Sequence, residues 1–400
     1  MTGVRFMVAS PPAHEPVNRA VYRVLVEKHG VSVHLVVPRR LYVGQEWRTT
    51  SCESDLPFEL SVLDAKGRHG RLTRWKGLRQ LVKSWKPTHL LIDNDPGSLL
   101  VRQGVAAAAD SGGVELWSMT AENLMPQYGR DLESGLRSLK PTQIIGPFLT
   151  WALRKWNHPR MDRVFTLSSA GESVMSKLGI KCVTRIPLGF DPALFFVHSL
   201  ERIAATRERL GLTEPTVAYF GRLTPEKGVH LLLEALAGMK DRPWQVLLDR
   251  FTDYQSSYTQ DLKELVESLE LGDRVVFFDA AHDEMADYMN AADVVVLPSV
   301  SIPKWKEQYG RVIQEVMACG TPMIASNCGA IPEIMGGHGT VFREGHVTDL
   351  RGRIEDVMDT DEAERKAMVG AAAEYARRNL SVDRQAEIFA ECLASGSDAR

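Results

Sequence analysis

The chain has 400 residues, 44% of them hydrophobic and 25% charged, with 31 glycines and 20 prolines. Those proportions exclude a disordered, collagen-like or low-complexity protein, and the length exceeds what a single hydrophobic core usually serves, so two domains are expected. The net charge of -3 conceals a division: residues 1–190 carry 26 Lys and Arg against 16 Asp and Glu, and the remainder 22 against 35, which directs the first half toward something anionic, a phosphorylated acceptor or a membrane surface.

In chain order, VRFMVAS reads as a first strand, Val17 to His29 as a helix closed by Gly30, and VSVHLVVP as a second strand. Further short apolar runs, THLLIDND, GVELWSM and DRVFTLS, alternate with helical lengths. This is the pattern of a parallel sheet covered on both faces. Near residue 190 the text changes to the Pro-punctuated IPLGFDPALFF, and a second series follows in TVAYFG, QVLLD, VVFFD, DVVVLPS and PMIAS. The reading is α/β, two Rossmann-like domains: residues 1–190, then 191–380, with a last helix at about 381–400 (VDRQAEIFAECL) returning to the first. Ligands of open α/β sheets bind beyond the carboxyl ends of the strands, so the site is expected in a cleft between two facing domains.

The five cysteines, Cys52, Cys182, Cys319, Cys328 and Cys392, are scattered and form no CxxC pair. They fit reduced thiols of a cytoplasmic protein without a zinc site. No basic start leads into a long apolar core and no window approaches 18 apolar residues, so neither a signal peptide nor a spanning helix is expected.

The strongest constellation is EQYGRVIQEVMACGTPMIAS. Glu307 lies in a loop, Gly310 and Arg311 open a helix, and Glu315 falls in its second turn. A helix start offers unpaired N–H groups to a phosphate, and carboxylates on either side can accept hydrogen bonds from sugar hydroxyls. The same residues also describe an amphipathic core helix with both glutamates solvated. A second element, AYFGRLTPEKGVHLLLEAL, sets Arg222 and Lys227 on either side of a Thr-Pro turn, matching a diphosphate in charge.

In these pieces, together with IPLGFDPALF, ADVVVLPS and GAIPEIM, the sequence resembles the retaining GT-B glycosyltransferases of family 4 (glycosyl transferases group 1), most strongly from about residue 160 to 335. The resemblance implies a donor that is a nucleotide-diphosphate sugar of UDP or GDP type. It casts Arg222 and Lys227 as the pair that neutralises the diphosphate and Glu315 as the ligand of the ribose hydroxyls. Glu307 then stands beside the transferred sugar, Tyr309, Gly310 and Arg311 form a backbone cradle, and Ala280 and Ala281 lie near the base. No cofactor and no metal are implied, because the two cations can stabilise the leaving phosphate.

Three positions depart from the family pattern. After the first strand the chain reads SPPAHEP, where His14 either touches a phosphate or is a surface histidine at a helix end. After GVELWSM comes TAENLMPQYG, where Glu122 or Asn123 replaces a histidine near the sugar, or simply belongs to a helix cap. Asp249 and Arg250 occupy a turn where glycine is common. The Asp93-Asn94-Asp95 run is read as a strand-end turn rather than a metal site, with an acceptor-side role open to Asp93.

The segment 66–87 holds eight Lys or Arg, no acid, and Trp75 and Trp85. It reads either as a peripheral contact with the inner face of a membrane or as a helix packed on the sheet with its basic stems spread over apolar neighbours. Nucleic acid is not an expected partner. The expectation is a retaining, metal-independent hexosyltransferase of polysaccharide or glycoconjugate biosynthesis, acting on a glycan, lipid-linked or small-molecule acceptor. The alternatives are a nucleotide-sugar epimerase of the same fold and a non-catalytic binding subunit.

Overall fold

The computed structural model describes residues 3–43, 46–67, 70–126, 141–249 and 257–395. The chain forms two compact units, one of Met1–Gly189 with Val382–Arg400 and one of Phe190–Ser381.

In the first unit seven strands form one parallel sheet: β1 (Arg5–Ala9), β2 (Ser32–Pro38), β3 (Glu59–Leu63), β4 (His89–Ile92), β5 (Glu115–Thr120), β6 (Arg163–Thr166) and β7 (Val183–Arg185), in the order β7-β6-β5-β4-β1-β2-β3. The central strands are apolar on both faces because helices cover both, as Ala20–His29 and Leu99–Ser111 do. Gly30 ends the first of these helices at φ 63°, donating its N–H to Leu25 and Val26 carbonyls, and Ser98 caps the second through Val101 N–H. The final helix, Val382–Ser395, completes this core, with Phe389 packing on Phe6 and Phe165 at ring separations of 5.8 and 5.0 Å. Lys28 bonds Asp383 on it at 2.6 Å. Residues 396–400 of the expected last helix lie outside the described residues.

At its two tryptophans the basic segment follows the packed reading. Among its described residues Gly70–Leu72 form a short 3-10 turn and Leu78–Trp85 an α-helix, and Trp75 and Trp85 are buried in the core of the first unit. Trp85 donates its ring N–H to Glu59 at 2.9 Å. Two indoles enclosed in the core cannot anchor a membrane interface, because burial in protein and insertion among headgroups compete for the same apolar face. Residues 68 and 69 of the segment lie outside the described residues. No helix among the described residues is long and apolar enough to cross a membrane.

The second unit holds six parallel strands, β8 (Thr216–Tyr219), β9 (Gln245–Asp249), β10 (Val275–Phe278), β11 (Val294–Leu297), β12 (Met323–Ser326) and β13 (Thr340–Phe342), ordered β10-β9-β8-β11-β12-β13. The chain proceeds outward from β8 in one direction and from β11 in the other. The carboxyl ends of β8 and β11 are therefore the point at which the strand order reverses, the place where open α/β sheets bind ligands. In the first unit the same reversal falls between β1 and β4.

Candidate active site

At the reversal in the second unit, the loop after β8 carries Arg222 and Lys227, and the loop after β11 carries Glu307. Gly228, at φ 71°, lets the two loops meet: a Cβ there would stand 2.0 Å from the Pro298 carbonyl oxygen. Val300 N–H donates to the Glu226 carbonyl at 2.8 Å, a second tie between the loops. Their side chains converge as a result. Lys227 Nζ bonds Glu307 Oε2 at 2.6 Å, with the two side chains only 13% and 7% exposed.

Glu307 is fixed on every side that the loop offers. Ser299 Oγ donates to Oε2 at 2.9 Å, and the Glu307 N–H points at Cys328 Sγ, 3.5 Å away. Its carbonyl accepts from Ala330 N–H at 3.0 Å, across a contact so close that a Cβ on Gly329 would lie 2.2 Å from that oxygen. A carboxylate so held is positioned in advance, and the rotamer entropy of placing it has already been spent in folding.

Gly310, at φ 79°, caps the helix Arg311–Ala318, whose start exposes backbone N–H groups and the positive end of the helix dipole. Glu315, one turn in, is 7% exposed, and burial lifts its carboxyl from the usual range to about 7, against the pull of Arg311. The Arg311 Nε to Glu315 Oε1 separation is 3.8 Å. Arg222 is exposed, its backbone carbonyl accepting from Tyr219 Oη at 2.8 Å. Tyr309 is buried, and its hydroxyl donates to Gln314 in the helix Arg311–Ala318 at 2.8 Å, so its side chain packs inward against the helix that its backbone precedes. Ala280 and Ala281 follow β10, the second of them exposed. Asp249 ends β9, largely buried, and Arg250 lies outside the described residues.

In the first unit the expected residues fall into two groups. Glu122, just beyond β5, belongs to a buried charge cluster: Arg154 bonds both Asp95, at 3.2 Å, and Glu122, and Arg71 approaches Glu122 at 2.9 Å. Burial and the neighbouring Asp95 push Glu122 upward, and the arginines, opposing burial, hold Asp95 low. Glu122 is thus already paired with two arginines, and no helix begins among residues 121–126 for it to cap. Asn123 is buried beside it. His14 is buried too, which corrects the surface reading: it ends the short turn Pro12–His14, with Nδ1 3.2 Å from the Pro11 carbonyl and Nε2 3.2 Å from Glu15. At the reversal between β1 and β4, Ser10 Oγ donates to Asp93 Oδ2 at 2.7 Å, and burial raises Asp93 to about 6.

Sequence reading did not single out Ser299, Trp305 or Arg154. Ser299 directly follows the DVVVLP strand and carried a signal in that position, since a hydroxyl at a strand's carboxyl end faces the crevice. Arg154 lies within the helix Pro141–Asn157, and no local pattern announces that it turns inward.

Residues 203–375 match the family model described as Glycosyl transferases group 1. A D-inositol 3-phosphate glycosyltransferase of Corynebacterium diphtheriae is 31% identical over 203 residues, 48% of this chain and 46% of that protein. A mannosylfructose-phosphate synthase of Agrobacterium fabrum is 31% identical over 158 residues, 38% of this chain and 34% of that protein. The matches thus span about half the length of these curated relatives or less. Among solved structures, Anabaena Alr3699/HepE in complex with UDP and glucose superposes at a TM-score of 0.70 with 20% identity, over 98% of this chain and 100% of that one. The sucrose-phosphate synthase of Thermosynechococcus elongatus gives 0.72 with 19% identity, over 99% and 100%. At those identities the likeness establishes the fold, two Rossmann-like halves of the GT-B class.

Proposed function

We propose that the protein is a glycosyltransferase that moves a sugar from a nucleotide-diphosphate sugar to a hydroxyl of a small phosphorylated acceptor, with retention of configuration and without metal. The observation that carries the reading is the meeting of Lys227 with Glu307 at the carboxyl ends of β8 and β11, with Arg222 on the first of those loops and the helix start at Gly310 following the second. The family match over residues 203–375 supports it.

Breaking the bond between sugar and diphosphate places developing negative charge on the leaving phosphate and positive charge on the sugar ring. Arg222, Lys227 and the N–H groups after Gly310 are donors suited to the first, and their value is greatest where water is excluded. Glu307, tied to Lys227 and Ser299 through one oxygen, suits the second as a fixed negative group that orients the sugar and steadies its cation. Glu315, once ionised, offers a buried acceptor for paired ribose hydroxyls. The acceptor proton leaves with the departing phosphate on the same face, which needs no separate base. UDP is the favoured diphosphate, since UDP is what the Anabaena protein binds. The names of the inositol phosphate and mannosylfructose-phosphate relatives, and the basic first half of the chain, favour a phosphorylated small acceptor.

The test is a melting panel with UDP, GDP, ADP, TDP and CDP, with and without EDTA, followed by incubation of the matching nucleotide sugar with phosphorylated polyols and sugars. The expected result is one diphosphate that raises Tm with or without EDTA, fails to do so in Arg222→Ala, and identifies a donor whose glycoside product keeps the donor's anomeric configuration by NMR. A folded protein that responds to none of the five refutes the reading.

A further inference from the structure

The loop between Ser299 and Glu307 makes a tight turn of its own. Ile302 and Trp305 exchange backbone hydrogen bonds, 2.9 Å from Ile302 N–H and 3.0 Å from Trp305 N–H. The turn leaves Ile302, Pro303 and Lys304 outside and folds Trp305 inward to a half-buried position. There its ring centroid stands 5.2 Å from Lys227 Nζ, within the range at which an ammonium is held by the negative face of an indole. The ammonium is thus gripped twice, by Glu307 Oε2 at 2.6 Å and by the Trp305 ring.

We propose that Trp305 is a positioning residue of the donor site: its indole fixes the direction in which Lys227 presents its charge, so that the ammonium meets the diphosphate without swinging into water. The inference rests on the donor-site reading above and adds a residue to it. A lysine stem has four rotatable bonds, and a single carboxylate bond leaves much of that freedom in place. The carboxylate draws the ammonium toward Glu307, and the aromatic face restrains it from a different direction. Because Glu307 is itself locked by Ser299 and by the Cys328–Ala330 turn, the indole and the carboxylate form a rigid seat for one cation.

The experiment measures binding of UDP by calorimetry, and of whichever diphosphate the melting panel identifies, in wild type, Trp305→Leu, Trp305→Phe, Lys227→Met and the double variant Lys227→Met/Trp305→Leu. Removing a partly desolvated cation–aromatic contact should weaken binding roughly 2- to 30-fold in Trp305→Leu, whereas Trp305→Phe, which keeps an aromatic face, should retain most of the affinity. In the Lys227→Met background, Trp305→Leu should add no further loss, because the indole acts through the lysine. With nucleotide sugar as substrate, Trp305→Leu should lower kcat as well as raise KM, since the same cation opposes charge developing on the leaving phosphate. Ile302→Ser, on the outer side of the same turn, should behave as wild type.

Unchanged binding in Trp305→Leu, or an equal loss with and without Lys227, overturns the role assigned to Trp305 and leaves the donor site standing. A wild-type protein that binds no nucleoside diphosphate removes the donor site itself, and Trp305's role with it. Urea unfolding of each variant separates loss of the fold from loss of the contact.

Discussion

Replacing Lys227 with Met keeps most of the side-chain volume and removes the ammonium that faces Glu307. The Glu307 side chain left behind is 7% exposed, with Ser299 Oγ as a remaining donor. Breaking a buried pair from one side typically costs about 3–5 kcal/mol, because the remaining charge keeps its desolvation penalty and loses its partner. In a unit of this size that corresponds to a Tm lower by roughly 6–20 °C. The second unit can be read selectively through hydrogen exchange of the β8 and β11 amides. Adding Glu307→Gln removes the stranded charge, so the double variant should be more stable than Lys227→Met alone by about 2 kcal/mol or more. A loss below about 1 kcal/mol in Lys227→Met, or a double variant at least as unstable as the sum of the two single ones, would refute the claim that the pair is buried and mutually dependent.

Glu315 provides a pH signature. With its folded-state value raised to about 7 by burial, the native chain holds that proton more tightly than the unfolded chain, so the stabilising contribution is complete below about pH 4 and is lost as pH rises through about 7. Glu315→Gln removes this drift, and denaturant melts should show the variant gaining on wild type by up to about 3 kcal/mol between about pH 4.5 and pH 8; a constant difference contradicts the burial argument. In the first unit, Arg154→Met leaves Asp95 with Arg71, 3.7 Å away, and the Gly97 N–H, and should cost up to about 3–5 kcal/mol, with a loss under about 1 kcal/mol showing that the cluster is solvated. Gly228→Ala combines a left-handed residue with a Cβ 2.0 Å from Pro298 O, for a cost of about 2–5 kcal/mol. Gly30→Ala has a similar φ but nothing within 4 Å of the added carbon and should cost only about 1–2 kcal/mol, so equal losses would show that the loop contact is unimportant.

Most strands that the sequence announced are buried on both faces, such as FMVA and VVVL, where an unbroken apolar run admits little else; VVFFD, an edge strand with Phe277 exposed, was legible from its apolar run alone. The strands it left unread are of a different kind. Glu59–Leu63 is a half-exposed edge strand at one end of the first sheet, and Val183–Arg185 and Thr340–Phe342 are three-residue edges. Trp75 and Trp85 read two ways for a related reason: eight cations around them set the local hydropathy, while the core that encloses them comes from strands and helices far away in the chain. At the candidate site, residue types and spacing singled out Glu307, Glu315, Arg222 and Lys227 individually. That Lys227 and Glu307 touch is a property of strand order, since the two are eighty positions apart and meet only because β8 lies beside β11. The turn that places Trp305 and the inward course of Arg154 depend equally on tertiary packing and leave no local pattern.

The return of the last helix to the first unit has a consequence for biosynthesis. Phe6 and Phe165 leave the ribosome early, yet the ring that covers them, Phe389, is made only after every residue of Phe190–Ser381. The second unit can therefore close while the first still presents an open apolar face, so the part of the chain synthesised first is finished last. Holding that face away from other nascent chains is a task for chaperones during translation, and truncations just before Val382 should accumulate as aggregates even though their whole second unit is intact.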